Sequence, residues 1–296
     1  MKMPSNVYLI GAASAWGIQP TCIKLLLRQF TSSSVILIRS TCMMIVYIFL
    51  MRRSCATIIP HISLRKWVLL VGMGLTGTTI CCIFQYEGLK IAPVSHNLIF
   101  SSVVPAITSL LAYIFLREKL VLLQWFGIIL SSLGVLVMLT QGDIHVLTNE
   151  GFNIGDIFLL INEISWACYI ILGRVIMKDV PPVQVTAWSS IFGVLTYLPF
   201  VLYTGDIGFS GVEPENIGQF LFIIFISGAL SNIWWNKGIH LLGAKGAIYN
   251  NSTPFVGIFF GWLILGEGIH VFDILGFAFV LVGIYLLMYR SIRETA

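Results

Sequence analysis

Long apolar runs separated by short polar connectors dominate the chain. They lie near residues 6–27, 34–51, 67–89, 94–116, 121–140, 156–177, 183–203, 217–238, 245–265 and 270–289. A helix needs about 20 apolar residues to cross a bilayer. The ten runs therefore predict an all-α integral membrane protein with ten transmembrane helices.

The first five runs are repeated in the last five, which predicts two related halves. The offset is 150 residues early in each half and 149 later. The aligned pairs are Trp16 with Trp166, Val35 with Val185, Gly88 with Gly238, Pro105 with Pro254, Glu118 with Glu267, Gly127 with Gly276, and Gly134 with Gly283. Five spans is an odd number, so the second copy must be inverted in the membrane. We expect one five-helix repeat at 1–141 and an inverted one at 155–290.

Composition and charge agree with a membrane protein and indicate its orientation. The chain is 57% hydrophobic and 10% charged, with a mean hydropathy of +0.93 and a net charge of +4. The basic residues lie between apolar spans, which indicates orientation rather than nucleic-acid binding. With the N-terminus inside, 13 of the 17 basic residues are cytoplasmic. We therefore predict a multi-pass protein of the cell membrane, the inner membrane in a Gram-negative cell. Both termini would be cytoplasmic, and segments 141–155 and 204–216 would face outward.

Motifs in the first and second halves resemble the drug/metabolite transporter superfamily, in particular proteins with paired EamA domains. They are Trp16-Gly17 and its partner Trp166-Ala167, and the run from Pro105 to Glu118 with its copy ending at Gly266-Glu267. The first copy has Arg117-Glu118 where the family often has Gly-Glu. The resemblance covers essentially the whole chain and implies ten helices, inverted halves and a central cavity. It also implies transport of amino acids, other metabolites, nucleotide bases, sugars or quaternary ammonium compounds, often by export.

The predicted function is secondary transport of a small polar or amphipathic metabolite, such as an amino acid, by alternating access. Export is the expected direction, and proton coupling is one option for its energy source. The expected partners are the small-molecule substrate and the lipid bilayer, with no nucleic acid. The chain shows no phosphate-binding glycine loop, metal-ligand spacing or cluster of acids, histidines and nucleophiles. We therefore expect no enzymatic activity, cofactor or metal. The alternatives are an intramembrane enzyme, or a membrane scaffold or receptor without transport activity.

Aromatic and amide side chains in the spans are candidates for the substrate cavity. An aromatic wall would accept an apolar group or face a cation, while amides in mid-membrane need hydrogen-bond partners. The alternatives are lipid or core contacts for the aromatic residues and helix-to-helix hydrogen bonds for the amides. The candidates are Trp16, Trp166, Tyr169, Trp235, Asn236, Tyr249, Asn250 and Asn251.

Glu163 lies deeper in an apolar span than any other acidic residue. An ionised carboxylate at such a depth is costly unless it is paired or wet. One interpretation is a fixed ion pair with Arg39 or a hydrogen-bonded acid. The other is a cavity residue that binds a substrate ammonium group or exchanges a proton.

Small residues and two acids recur at span ends and on helix faces. Gly127 with Gly134 and Gly276 with Gly283 are each seven residues apart, which predicts close helix packing. A homodimer through the fifth and tenth spans is the alternative use of these faces. For Glu118 and Glu267 we expect a structural role near the membrane interface.

Overall fold

Ten helices form the protein, in agreement with the number of apolar runs. The computed structural model describes residues 5–55, 57–142, 153–235 and 252–294. The helices are α1 (Ser5–Leu26), α2 (Ser32–Ser54), α3 (Leu64–Ile91), α4 (Val94–Leu116), α5 (Leu122–Thr140), α6 (Ile154–Ile176), α7 (Pro182–Thr204), α8 (Pro214–Trp235), α9 (Ser252–Phe260, continued by Gly261–Leu265) and α10 (Val271–Glu294). Within these ranges the extended backbone makes one isolated bridge, between Phe30 and Phe209.

The lengths and surface of the helices are those of a multi-pass membrane protein. The six helices α2, α3, α4, α6, α7 and α8 are long and apolar enough to cross a membrane, and shorter apolar helices occur in α5, α9 and α10. Large apolar side chains such as Phe115, Leu122 and Val271 are more than two-thirds exposed. Such a surface is stable when hydrocarbon rather than water surrounds it.

The packing of the helices has a regular pattern. Helix α5 packs on α10 and α2 on α7, while α1 packs on α9 and α4 on α6. Helix α3 contacts α6 and α7, and α8 contacts α1 and α2. Adding five to each helix number in the first half, and subtracting five in the second, converts every one of these contacts into another of them.

Glycines bring the backbones of α5 and α10 into direct contact. A Cβ atom at Gly134 would lie 2.5 Å from the carbonyl oxygen of Gly276, and one at Gly283 would lie 2.5 Å from that of Gly127. The repeat offset of 149 converts one contact into the other. Close packing, as the seven-residue spacing predicted, is therefore made within a single chain. A homodimer would need other surfaces of these helices.

Two helices contain π-helical stretches that the hydropathy pattern did not reveal. They are Leu75–Ile80 in α3 and Phe222–Leu230 in α8, and they end at positions 150 residues apart. A wider π turn leaves carbonyl groups available to other donors. Trp16 Nε1 donates to the Ser227 carbonyl at 2.9 Å, and Ser165 Oγ donates to the Thr76 carbonyl at 2.8 Å. The irregular backbone thus faces α1 in one half and α6 in the other.

The two ends of the bundle are named after a basic residue at each. Lys24 contacts the start of α4 and the segment after α9, so these elements meet at what we call the Lys24 end. Arg174 near the end of α6 contacts Glu118 after α4, which marks the opposite, Arg174 end.

Candidate functional site

A chain of polar side chains crosses the middle of the bundle from α2 through α3 to α6. Arg39 Nη1 lies 3.7 Å from Cys82 Sγ, and the neighbouring Cys81 Sγ lies 2.9 Å from Asn162 Oδ1. Asn162 Nδ2 donates to Glu163 Oε1 at 2.8 Å. With a rise of 1.5 Å per residue, Arg39, Cys82 and Glu163 lie about 11–14 Å from the Lys24 end of their helices. Four of the five residues are buried, and Arg39 is partly buried.

Arg39 and Glu163 do not form the fixed ion pair that was one interpretation of their similar depth. Among the described residues, Arg39 takes part in no ion pair, and its Nε atom is buried without a hydrogen-bond partner. Glu163 is only 4% exposed, and Asn162 is the donor that reaches it. The physical reason is that α3 lies between the two side chains and contributes thiols to both. The arrangement leaves two oppositely charged groups at one level with little direct neutralisation.

The predicted aromatic residues form two separate clusters. Trp16 and Trp235 lie 5.3 Å apart between ring centroids, and the Trp16 indole is fixed by its bond to Ser227. Trp166 and Tyr169 stack at 4.8 Å with nearly parallel rings, and Trp166 is 39% exposed. The structure therefore joins α1 to α8 through one cluster, while the other lies along α6.

Close to Trp235, the structure adds a polar pair that the sequence did not suggest. Asn232 Nδ2 donates to Tyr47 Oη at 3.0 Å, which links α8 to α2. The signal was weak because a single asparagine or tyrosine in a span is common in helix packing. Four predicted candidates, Asn236, Tyr249, Asn250 and Asn251, lie outside the described residues.

A cavity of about 340 Å³ opens near the Lys24 end, between α2, α3 and α7. Two acidic residues, Glu87 and Asp206, lie in its wall, and Ser33 Oγ donates to Asp206 Oδ2 at 3.1 Å. None of the described candidates lines this cavity. The lining residues are Ser32, Ser33, Ile36, Ile83, Glu87, Tyr197, Phe200, Thr204 and Asp206.

A histidine held between two carboxylates lies at the Lys24 end, although the sequence suggested no such cluster. His96 Nδ1 lies 2.7 Å from Asp156 Oδ1, and its Nε2 lies 3.5 Å from Asp273 Oδ1. Gln141 Nε2 and the His270 backbone N–H also donate to Asp273. These residues come from the ends of α4, α5, α6 and α10, which the predicted topology already placed on one side of the membrane. That shared location was the available signal.

The chemistry of this cluster is that of a joint between helices. His96, Asp156 and Asp273 are each less than 9% exposed and are satisfied by one another. No group of three His, Cys, Asp or Glu residues in the described ranges could hold a metal ion. The cluster connects both halves of the chain at their Lys24 end.

An ion pair closes each end of the bundle, and the two pairs are related by the repeat. At the Lys24 end, Lys24 Nζ lies 2.7 Å from Glu267 Oε1, and the side chains are 24% and 15% exposed. At the other end, Arg174 Nη2 lies 2.6 Å from Glu118 Oε1, and the exposed fractions are 48% and 46%. Lys24 and Arg174 are 150 residues apart, and Glu118 and Glu267 are 149 apart. Both glutamates thus have the structural role expected of them.

Connecting segments are also fastened at both ends by equivalent residues. Ser34 in α2 donates to the Gly208 carbonyl at 3.1 Å and accepts from the Gly208 N–H at 3.0 Å. Gln184 in α7, 150 residues later, donates to the Thr57 carbonyl. Each half thus holds the connector that follows α2 or α7 of the other half.

Comparisons with known proteins agree with this geometry. The sequence model of the EamA-like transporter family matches residues 3–140 and 153–289. An uncharacterized transporter of Bacillus subtilis, YyaM, is 28% identical over 201 residues, which are 67% of this chain and 66% of that protein. An uncharacterized transporter of Archaeoglobus fulgidus is 21% identical over 97% of this chain and 99% of its own length. A solved crystal structure with 15% identity shares the fold at a TM-score of 0.61, over 96% of this chain and 97% of that one.

Proposed function

Because the chain belongs to the EamA-like transporter family, we propose that it is a secondary transporter of a small polar or amphipathic metabolite, such as an amino acid. The proposed mechanism is alternating access between two inverted five-helix halves, at 1–141 and 155–290. Export across the cell membrane is the proposed direction.

One observation carries the mechanism: the contacts at the two ends are exchanged by the repeat offset. The Lys24–Glu267 pair has its equivalent in Arg174–Glu118. Inverted halves with equivalent contacts can exchange an outward-open for an inward-open state at little cost, because each state reuses the same packing. The more buried Lys24 pair supports assigning this structure to a state that is closed at the Lys24 end.

The central polar chain is the proposed substrate level. Glu163 would bind the ammonium group of the substrate or exchange a proton with it, since a buried carboxylate in a span needs such a partner. Trp16 and Trp235 would provide an apolar wall, and Trp166, Tyr169 and the amides at 236, 250 and 251 would complete the path with Tyr249.

Transport in liposomes tests this proposal. The purified protein would be reconstituted and the uptake of a labelled metabolite panel measured with and without a pH gradient. We expect Glu163→Gln to abolish accumulation driven by the gradient while some exchange remains, since the shape is kept and the charge is lost. Glu215→Gln, in the exposed first turn of α8, is the matched control. A protein that is folded and moves no member of the panel would overturn the proposal.

The proposed orientation places both termini and the 52–66 segment in the cytoplasm and the Lys24 end outside. It rests on the distribution of basic residues. Single cysteines at 57 and 211 in a cysteine-free background would be labelled by an impermeant reagent. We expect external labelling at 211 alone, and labelling at 57 in intact cells would reverse the assignment.

A further inference from the structure

Arg39 is a charged residue inside a membrane span that lacks a counter-charge among the described residues. Its Nη1 contacts the Cys82 thiol at 3.7 Å, and its Nε is buried without a partner. A guanidinium has five N–H donors and is always charged. Such a group in the hydrocarbon region is costly unless an acceptor satisfies it.

The groups that face Arg39 from the surrounding elements are neutral. They are the phenols of Tyr47 in α2 and Tyr86 in α3, and the thiols of Cys81 and Cys82 in α3. The charged group at the same depth, Glu163, is held on the far side of α3 by Asn162. The polar chain therefore has a cation at one end and a carboxyl group at the other, with neutral groups between them.

The cavity at the Lys24 end leads to this level. Ile36 in its lining is three residues before Arg39, almost one helical turn, and Ile83 directly follows Cys82. Its empty space of about 340 Å³ is suited to a small metabolite. The carboxylates of Glu87 and Asp206 in the wall would repel a purely anionic solute and attract one that carries an ammonium group.

We propose that Arg39 binds the carboxylate of a zwitterionic substrate whose ammonium group binds Glu163. A guanidinium can hold a carboxylate through two parallel hydrogen bonds, and the free Nε supplies one of them. This inference rests on the proposed transport function and adds the substrate class and its anion-binding residue.

Binding to the purified protein tests the assignment of Arg39. The twenty standard L-amino acids would be screened by thermal shift, and the best binder compared with the amine that lacks its carboxylate and the acid that lacks its ammonium group; for leucine these are isopentylamine and 4-methylpentanoate. We expect each analogue to bind about tenfold or more weakly than the amino acid. An amine that binds as tightly as its amino acid would overturn the proposal.

Substitutions then separate the two charged groups. Arg39→Gln should weaken amino-acid binding about tenfold or more while leaving amine binding unchanged, and Glu163→Gln should have the opposite selectivity. Arg53→Gln is the matched control, because Arg53 is exposed near the inner end of the same helix, over the Phe49 ring. A folded Arg39→Gln protein with wild-type amino-acid affinity would reject the role of Arg39.

Other outcomes distinguish this inference from the transport function. If Arg39→Gln does not fold, the analogue series on the wild-type protein still decides the question. Transport of a sugar or base in liposomes, with no amino-acid binding, would reject the zwitterion and leave the transport function intact. Absence of transport for every solute class would reject both.

Discussion

The two ends of the bundle are closed by ion pairs at equivalent positions of the repeat, yet the pairs differ in their surroundings. Lys24 also donates to the Ala92 carbonyl at 2.8 Å, and Glu267 accepts from the Val94 N–H at 2.7 Å. The Arg174–Glu118 pair is about half exposed. The repeat thus determines where a contact forms, while local burial and additional partners determine its strength.

The His96 cluster increases this difference. Counting back by the repeat offset, the positions of Asp156 and Asp273 are occupied by Asn6 and Gln124 in the first half. The acidic joint is therefore specific to the Lys24 end. A transporter with unequal ends would favour one closed state until substrate or a change of conditions compensates for the difference.

The largest effect should come from the contact that both halves share. Valine at Gly134 or at Gly283 would push a side chain against a carbonyl oxygen in the α5–α10 contact. We expect each substitution to cost about 3 kcal/mol or more, the upper end of the range for overpacking, and to reduce the yield of folded protein to a similar extent.

Size-exclusion chromatography and thermal unfolding in detergent would measure this loss. Gly218→Val is the control, because a Cβ atom at Gly218 has no neighbour within 4 Å. A well-tolerated change at Gly283 with a severe one at Gly134 would show that the two contacts are not equivalent.

Removing the histidine of the acidic joint should weaken the Lys24 end alone. His96→Gln removes a charge-assisted contact with Asp156, for which we expect a loss of about 1.5–3 kcal/mol of stability. His61→Gln, in an exposed connector, should have no measurable effect on the unfolding temperature. Equal effects of the two substitutions would mean that the buried cluster contributes little.

The ion pairs themselves offer a direct measure of the difference between the ends. Glu267→Gln leaves Lys24 partly buried without its counter-charge and should cost about 1–3 kcal/mol. Glu118→Gln disturbs an exposed pair and should cost about 0–1 kcal/mol.

Double-mutant cycles with Lys24→Met and Arg174→Met would isolate each pairwise energy from other effects of the substitutions. We expect a clearly larger coupling for the Lys24 pair. Equal couplings would show that burial does not separate the two ends.

The smallest effect should come from the fastened connectors. Ser34→Ala removes a two-way contact with Gly208 and should cost about 0.5–1.5 kcal/mol. Hydrogen exchange at the Gly208 amide would then become faster, because local opening of this connector would be easier. The equivalent change Gln184→Ala provides the comparison at the opposite end, and an unchanged Gly208 rate in Ser34→Ala would contradict the role of Ser34.

Much of the helical framework was predictable from the pattern of apolar residues. The number of helices is confirmed, and their observed bounds differ from the predicted runs by a few residues because helix ends depend on local capping. The π-helical stretches in α3 and α8 were not predicted, since a one-residue change in helical pitch leaves almost no mark on hydropathy.

The candidate site was predictable only in part. Glu163 was identified by its depth, and its proposed partner Arg39 proved to contact Cys82 instead. The sequence also gave no reason to place His96 between Asp156 and Asp273, which come from three different helices.

The sequence alone determined the all-helical membrane architecture, because hydrocarbon requires each spanning segment to satisfy its own backbone hydrogen bonds within about 20 apolar residues. It also determined the residue offset that relates equivalent contacts. The tertiary structure alone decided which side chains meet, since partners such as Lys24 and Glu267 are more than 240 residues apart. Their burial is set by the packing of several helices at once, and no local pattern in the chain records it.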